Sequence, residues 1–348
     1  MSKDTAVDDA KLKLLIEELV TSAISQQTIS KLDKKLVVEL ITTSLKLAND
    51  KPNTLNLKIA TAALTEMREA FVMFAPYTNR KKVTIFGSAR TTKDDPLYKL
   101  TQEVAKSLSE NGWMVVTGAG PGIMEAGMSG AGREMSIGVS IRLPFETSAN
   151  SIIAGDEKYV AMRYFFTRKL MLVKESDAFI CMPGGFGTLD EMFELLTLLQ
   201  TGKGNPAPIV MLDLPGDPFW QDVDSFVKKS LVPRQLVSES DLALYHIATG
   251  VPDAVNTIKN FYRNYHSMRI VGNFTVIRLQ QEVSDDQLLA LNQQFAYLSK
   301  AGAIERIKPT GAEIADKDNL DKHRIAFQFA RRDFGGLRKL IDQLNQLN

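Results

Sequence analysis

Apolar residues recur at helical spacing through the first part of the chain. Leu12, Leu15, Ile16 and Leu19 form one set, Leu36, Val37, Leu40 and Ile41 a second, and Ile59, Ala63, Met67, Ala70 and Phe71 a third. Recurrence at three and four residues places each set on one helix face, so residues 1–77 read as an all-helical leader. Polar stretches at 25–30 and 49–53, the latter holding Lys51-Pro52-Asn53, separate its helices. The amphipathic faces require a covering surface, in the rest of the chain or in another subunit.

From Lys82 the rhythm changes to short apolar runs alternating with longer helix-period segments. Strands are predicted at 83–86, 114–117, 137–141, 178–182, 209–212 and 242–247, and helices at 96–110, 122–134, 162–174, 189–201 and 218–229. Such alternation predicts an α/β fold over 78–264, a Rossmann-like parallel sheet with helices on both faces. Ligands of these sheets bind beyond the carboxyl ends of the strands. Residues 265–348 read as a small appended α+β module in β-α-β-β-α order: strand 275–279, helix 285–298, strands 304–307 and 324–329, helix 335–347.

Composition narrows the function. With 42 Lys+Arg against 41 Asp+Glu the net charge is +1, so no overall field favours a polyanion and no nucleic-acid partner is expected. The single cysteine, Cys181, excludes an intramolecular disulfide and a cysteine zinc site, in keeping with a reducing cytoplasm. The first residues are polar and acidic, unlike a signal peptide. No stretch approaches the roughly 20 apolar residues of a membrane span. A soluble cytoplasmic protein is expected.

Three predicted strands run into glycine: Gly87-Ser88-Ala89-Arg90 after the first, Gly118-Ala119-Gly120-Pro121-Gly122 after the second, and Pro183-Gly184-Gly185-Phe186-Gly187-Thr188 after the fourth. Glycine brings backbone N–H groups close to a ligand, and a following helix N-terminus adds positive potential, so each loop suits a phosphate. One such turn is commonplace; three at one sheet edge suggest a nucleotide. The second loop has Ile123 where a dinucleotide fingerprint needs its third glycine, and no Walker motif occurs. Thr188 and Glu191 have the spacing of a capping box, which would occupy both side chains; alternatively Glu191 faces the ligand. Asp190 and Glu191 lie about 100° apart around a helix, so only one of them can do so.

The run from Pro183 to Glu191 matches the P-G-G-x-G-T-x-x-E motif and thereby resembles the Lonely Guy (LOG) family of cytokinin riboside 5'-monophosphate phosphoribohydrolases. Arg168-Lys169 matches that family's R-K pair, and the resemblance extends over roughly 82–262, including Gly87-Ser88 and the loop 118–125. It looks like a longer bacterial form, because the leader and the last module lie outside the short members. The resemblance implies a dimeric Rossmann-like enzyme that hydrolyses AMP-type nucleotides to free base and ribose 5-phosphate, without metal or cofactor. Carried over by motif position, Arg168 and Glu191 are the catalytic pair. Gly184, Gly185, Gly187 and Thr188 hold phosphate, with Gly87, Ser88, Gly118, Gly120, Gly122 and Lys169 as further binding positions. A carboxylate at a helix N-terminus is expected to stay ionised, suited to stabilising positive charge on the ribose and orienting water. The permanent charge of Arg168 suits ligand oxygens or the departing base. Tyr164-Phe165-Phe166-Thr167 departs from the more polar run of plant-type members, so the base accepted is open. The family's other label, lysine decarboxylase, is unsupported, since nothing identifies a pyridoxal phosphate site. The alternative is a nucleotide or molybdenum-cofactor carrier that binds without cleaving.

Other candidates are weaker. Gly127-Met128-Ser129-Gly130-Ala131 lacks the last glycine of a nucleophile elbow and falls in a predicted helix. His246, His266 and His323 show no metal-ligand spacing, Cys181 sits in an apolar strand, and Arg331-Arg332 reads as a solvated pair.

Overall fold

The computed structural model describes residues 6–23, 29–143 and 149–347, with side chains from residue 11 onward. The predicted break at 25–30 therefore lies largely outside the described residues. The chain forms two compact units, 1–65 and 66–348.

The first unit holds helices α1 (Ala6–Ala23) and α2 (Lys31–Asn49), and α3 (Thr54–Phe74) begins in it and continues into the second. Ser30 caps α2, its Oγ accepting the Asp33 N–H. The core between α1 and α2 is small: Ile16, Val20 and Val38, with Leu12 and Ile41 at its margin.

The second unit is built on β1 (Lys82–Phe86), α4 (Pro96–Glu110), β2 (Met114–Thr117), α5 (Ile123–Ala131), β3 (Ser136–Ile141), β4 (Tyr159–Met162), α6 (Phe165–Lys174), β5 (Ala178–Cys181), α7 (Phe186–Gln200), β6 (Ile209–Leu212), α8 (Phe219–Phe226), β7 (Tyr245–Ala248) and α9 (Val251–Phe261). The strands pair in parallel in the order β4-β3-β2-β1-β5-β6-β7, a seven-stranded sheet among the described residues. One face packs Phe86, Met114, Ile137 and Phe179 with α6 and α7; the other packs Val83, Ile85, Val115 and Ile180 with α4 and α9. Burial on both faces explains the uninterrupted apolar strands. The α/β class and the Rossmann-like sheet thus hold. Strand order reverses between β1 and β5, which puts the crevice of a doubly wound sheet between the first and third glycine loops.

Some elements differ from expectation. β4 is short and half-buried at the sheet edge, so its pattern does not stand out, and α6 starts at Phe165 rather than 162. Of the predicted strand 242–247, the first half belongs to a 3-10 turn (Glu239–Leu244) and the second half to β7. α7 starts at Phe186, three residues early: Gly185 is its N-cap in an extended conformation, and Gly187 lies in the first turn despite the low helix propensity of glycine.

The last module is β8 (Tyr265–Val271), β9 (Phe274–Leu279), α10 (Asp285–Phe295), β10 (Glu305–Arg306), α11 (Gly311–Asp316), β11 (His323–Phe327) and α12 (Phe334–Gln346). The predicted β-α-β-β-α order lacked β8 and α11. β8 is an edge strand with a register shift between Tyr265 and Ser267, which blurs its alternation. α11 does carry a signal, a capping box between Thr310 and Glu313. The antiparallel sheet, ordered β10-β11-β9-β8, packs Ile277, Leu279, Ile325 and Phe327 against α10 and α12.

Candidate active site

The three glycine loops follow β1, β2 and β5, which are neighbours in the sheet, and they hydrogen-bond to each other. Ser88 N–H donates to Pro183 O at 3.2 Å, and Ile123 N–H donates to Ser88 O at 3.0 Å. Gly122 has φ of +67°, and a Cβ there would lie 2.4 Å from Ser88 O, so this contact between loops requires glycine. Gly184 packs against Thr188 Oγ1, 2.2 Å from where its Cβ would stand. Gly185 and Gly187 instead face open space, and Gly185 stands at the N-cap of α7, which has no side-chain cap. The first-turn N–H groups of α7 are thus left with the positive end of the helix dipole beside room for a ligand.

Arg168 on α6 and Glu191 on α7 meet at this edge. The guanidinium is 9% exposed and the carboxylate 13%, and Arg168 Nη1 donates to Glu191 Oε1 at 3.0 Å. Arg168 Nε donates to Val139 O, within β3, at 3.1 Å. The remaining nitrogen, Nη2, lies over the second loop: a Cβ on Gly118 would come within 2.1 Å of it. Gly118 is therefore glycine because the guanidinium occupies the space of a side chain. Met124 crowds the same loop, lying within 2.7 Å of a Cβ on Gly118 or Gly120.

The capping box anticipated at Thr188 does not form. Thr188 is the third residue of α7 and is buried, while Glu191 is turned to Arg168. The carboxylate of Glu191, expected to stay ionised beside a helix N-terminus, meets an opposing influence here. Burial raises its pKa above the ordinary carboxylate value, and Arg168 offsets that only in part. Lys169, grouped with the phosphate-binding positions by its motif, is held elsewhere. It pairs with Asp190 at 2.6 Å and Glu194 at 2.8 Å. The three line a groove of about 1230 Å³ between α6 and α7 whose lining includes none of the glycine loops. Burial would lower the Lys169 pKa, but the two carboxylates outweigh it and raise it.

Sequence reasoning missed the supporting groups. Asn150 Nδ2 donates to Gly120 O at 3.2 Å and its own N–H to Ala119 O at 2.9 Å, which ties down the second loop. Val139 acts through a backbone oxygen, which no residue pattern marks. Asp213, after β6, is 6% exposed; burial pushes its carboxyl up to about 6. No group of histidines, cysteines and carboxylates fit to hold a metal occurs among the described residues, and no helix there is long and apolar enough to cross a membrane.

The fold and this edge define a doubly wound α/β domain with a buried arginine–glutamate pair set against glycine loops. A family model described as possible lysine decarboxylase matches residues 121–258. The chain is 27% identical over 188 residues to the cytokinin riboside 5'-monophosphate phosphoribohydrolase LOG1 of Arabidopsis thaliana, covering 51% of this chain and 81% of that protein. It is 31% identical over 138 residues to the phosphoribohydrolase LOG of Oryza sativa subsp. japonica, covering 37% of this chain and 54% of that protein, so it spans about half of the rice relative. Over the matched segment the chain is similar to the Lonely Guy family. A molybdenum cofactor carrier protein from Chlamydomonas reinhardtii superposes with a TM-score of 0.36 at 21% identity, over 52% of this chain and 96% of the carrier.

Proposed function

We propose that the protein hydrolyses the N-glycosidic bond of a purine nucleoside 5'-monophosphate, releasing the free base and ribose 5-phosphate. The observation that carries this reading is the buried Arg168–Glu191 pair beside Gly118, next to an uncapped α7 N-terminus whose Gly185 and Gly187 face open space. The names of the curated relatives agree with it.

In this reading the phosphate sits on the N–H groups of Gly185, Phe186 and Gly187, which places the ribose toward Glu191. Cleavage builds positive charge on the ribose, and the adjacent carboxylate stabilises it. A carboxyl with a raised pKa also takes a proton from the attacking water readily, so Glu191 acts as base as well as electrostatic partner. The water oxygen bonds to C1', the C1'–N bond breaks, and the nitrogen of the departing base gains a proton. Arg168, with Nη1 and Nε engaged, offers Nη2 to a ligand oxygen or to the base. Lys169 lies outside this set. The homo-oligomer implied by the resemblance belongs to the same proposal, and light scattering at micromolar concentration tests it.

The experiment is chromatographic release of free base from AMP, GMP, CMP and an isopentenyl-adenine ribotide, with Glu191→Ala alongside. Release that depends on Glu191 establishes the enzyme and ranks its bases. AMP binding without release overturns the reading in favour of a nucleotide carrier.

A further inference from the structure

The first turn of α6 is held by a side chain from another helix. Glu66, on α3, is 6% exposed. Its Oε1 accepts the Arg163 N–H at 2.8 Å, and its Oε2 accepts the Thr167 hydroxyl at 2.8 Å. The N-cap residue of α6, Tyr164, makes no side-chain cap of its own. Glu66 thus supplies in space what a serine or aspartate supplies in sequence, a negative acceptor at the positive end of the helix.

Burying a carboxylate is costly unless it is satisfied, and Glu66 has no salt-bridge partner among the described residues. An apolar side chain would fill such a site between helices at lower cost. What the carboxylate achieves is geometric. Thr167 is fully buried and directly precedes Arg168, whose guanidinium is fixed at its far end by Val139 O and Glu191. A shift of the α6 N-terminus therefore passes directly into the Arg168–Glu191 contact.

We propose that Glu66 is the positioning residue for Arg168: it locks the first turn of α6 so that the guanidinium stays over Gly118 and on Glu191. Its kinetic expression rests on the phosphoribohydrolase reading, but its structural expression does not. The test uses the full chain as parent, Glu66→Ala, Arg168→Ala and the double variant. The first readout is the titration of the Glu191 carboxyl by carbon NMR, and the second is base release from AMP.

Because Arg168 lowers the Glu191 pKa, loss of Glu66 should raise it, in the same direction as loss of Arg168. In the Arg168→Ala background, loss of Glu66 should add nothing further, since residues acting through one contact are not additive. Base release should fall roughly tenfold to hundredfold in Glu66→Ala, mainly in kcat. Glu66→Gln should restore most of it: its carbonyl still accepts the Arg163 N–H, and its amide can donate to Thr167 while that hydroxyl donates to Tyr164 O, 2.8 Å away. Thr167→Val, which removes one donor at nearly constant volume, should shift the Glu191 titration the same way by less, and it replaces Glu66→Ala if that variant does not fold. An unchanged Glu191 titration, or shifts that simply add in the double variant, overturns the proposal. A shifted, non-additive titration in a parent that releases no base supports the positioning role and overturns the activity instead.

Discussion

Two buried arginine–glutamate contacts in this molecule have opposite electrostatics. In the last module, Glu313 is fully buried and accepts from Arg278 Nε at 2.8 Å, Arg324 Nε at 3.2 Å, and the N–H and hydroxyl of Thr310, each at 2.9 Å. Burial pushes its carboxyl up, but these donors bring it down to about 2. At the glycine loops, Glu191 accepts one hydrogen bond among the described residues, from Arg168, and its pKa stays raised. At Glu313 the donors outweigh burial; at Glu191 burial outweighs the single arginine. Glu313 is saturated and holds α11 onto β9 and β11; Glu191 keeps acceptor capacity for a substrate or water.

The largest effect that would break this comparison is on stability. Glu313→Ala leaves Arg324 buried without its anion and Arg278 with Asp318 alone, and should cost about 3–5 kcal/mol, read from the urea midpoint. Next, Glu191→Gln should leave folding nearly unchanged while lowering kcat for base release by roughly a hundredfold to a thousandfold. Equal losses of stability in the two variants would remove the distinction.

The pH dependences should also diverge. Glu313 has a depressed folded-state pKa, so its stabilisation is full above the unfolded value of 4.5 and is lost as pH falls toward about 2. Acid unfolding of the last module in that window, followed by circular dichroism, checks it. Glu191 has a raised pKa, and its ionised form is the one proposed to act. The acid limb of kcat/KM should therefore lie above 4.5 and vanish in Glu191→Gln.

The smallest effect concerns Asp213. Its folded pKa of about 6 exceeds the reference 3.8, so stability falls as pH rises between those values and the penalty is complete above the folded one. Asp213→Asn should raise Tm by a few degrees at pH 8 and by less at pH 5.

The glycine loops of the candidate site were legible because their components are local. A glycine run after an apolar strand, ahead of a helix, signals phosphate from a few adjacent residues, and the Rossmann-like sheet followed from the alternation of periods. Legibility failed where the partner is distant or is backbone. Thr188 and Glu191 formed a plausible capping box on spacing alone, yet Glu191 turns to an arginine 23 residues upstream. Glu66 lies 101 residues before Thr167 on a helix that reads as part of a separate leader. Lys169 adjoins Arg168, but the α6 surface divides them between the glycine loops and the groove.

The sequence by itself determined the class of the sheet and where the three glycine loops, Arg168 and Glu191 fall among its elements, since these depend on periodicity and residue identity. Only the tertiary structure decided which carboxylates pair with which cations and which way each pKa moves, because burial and donor count depend on neighbours that the chain brings together only when folded.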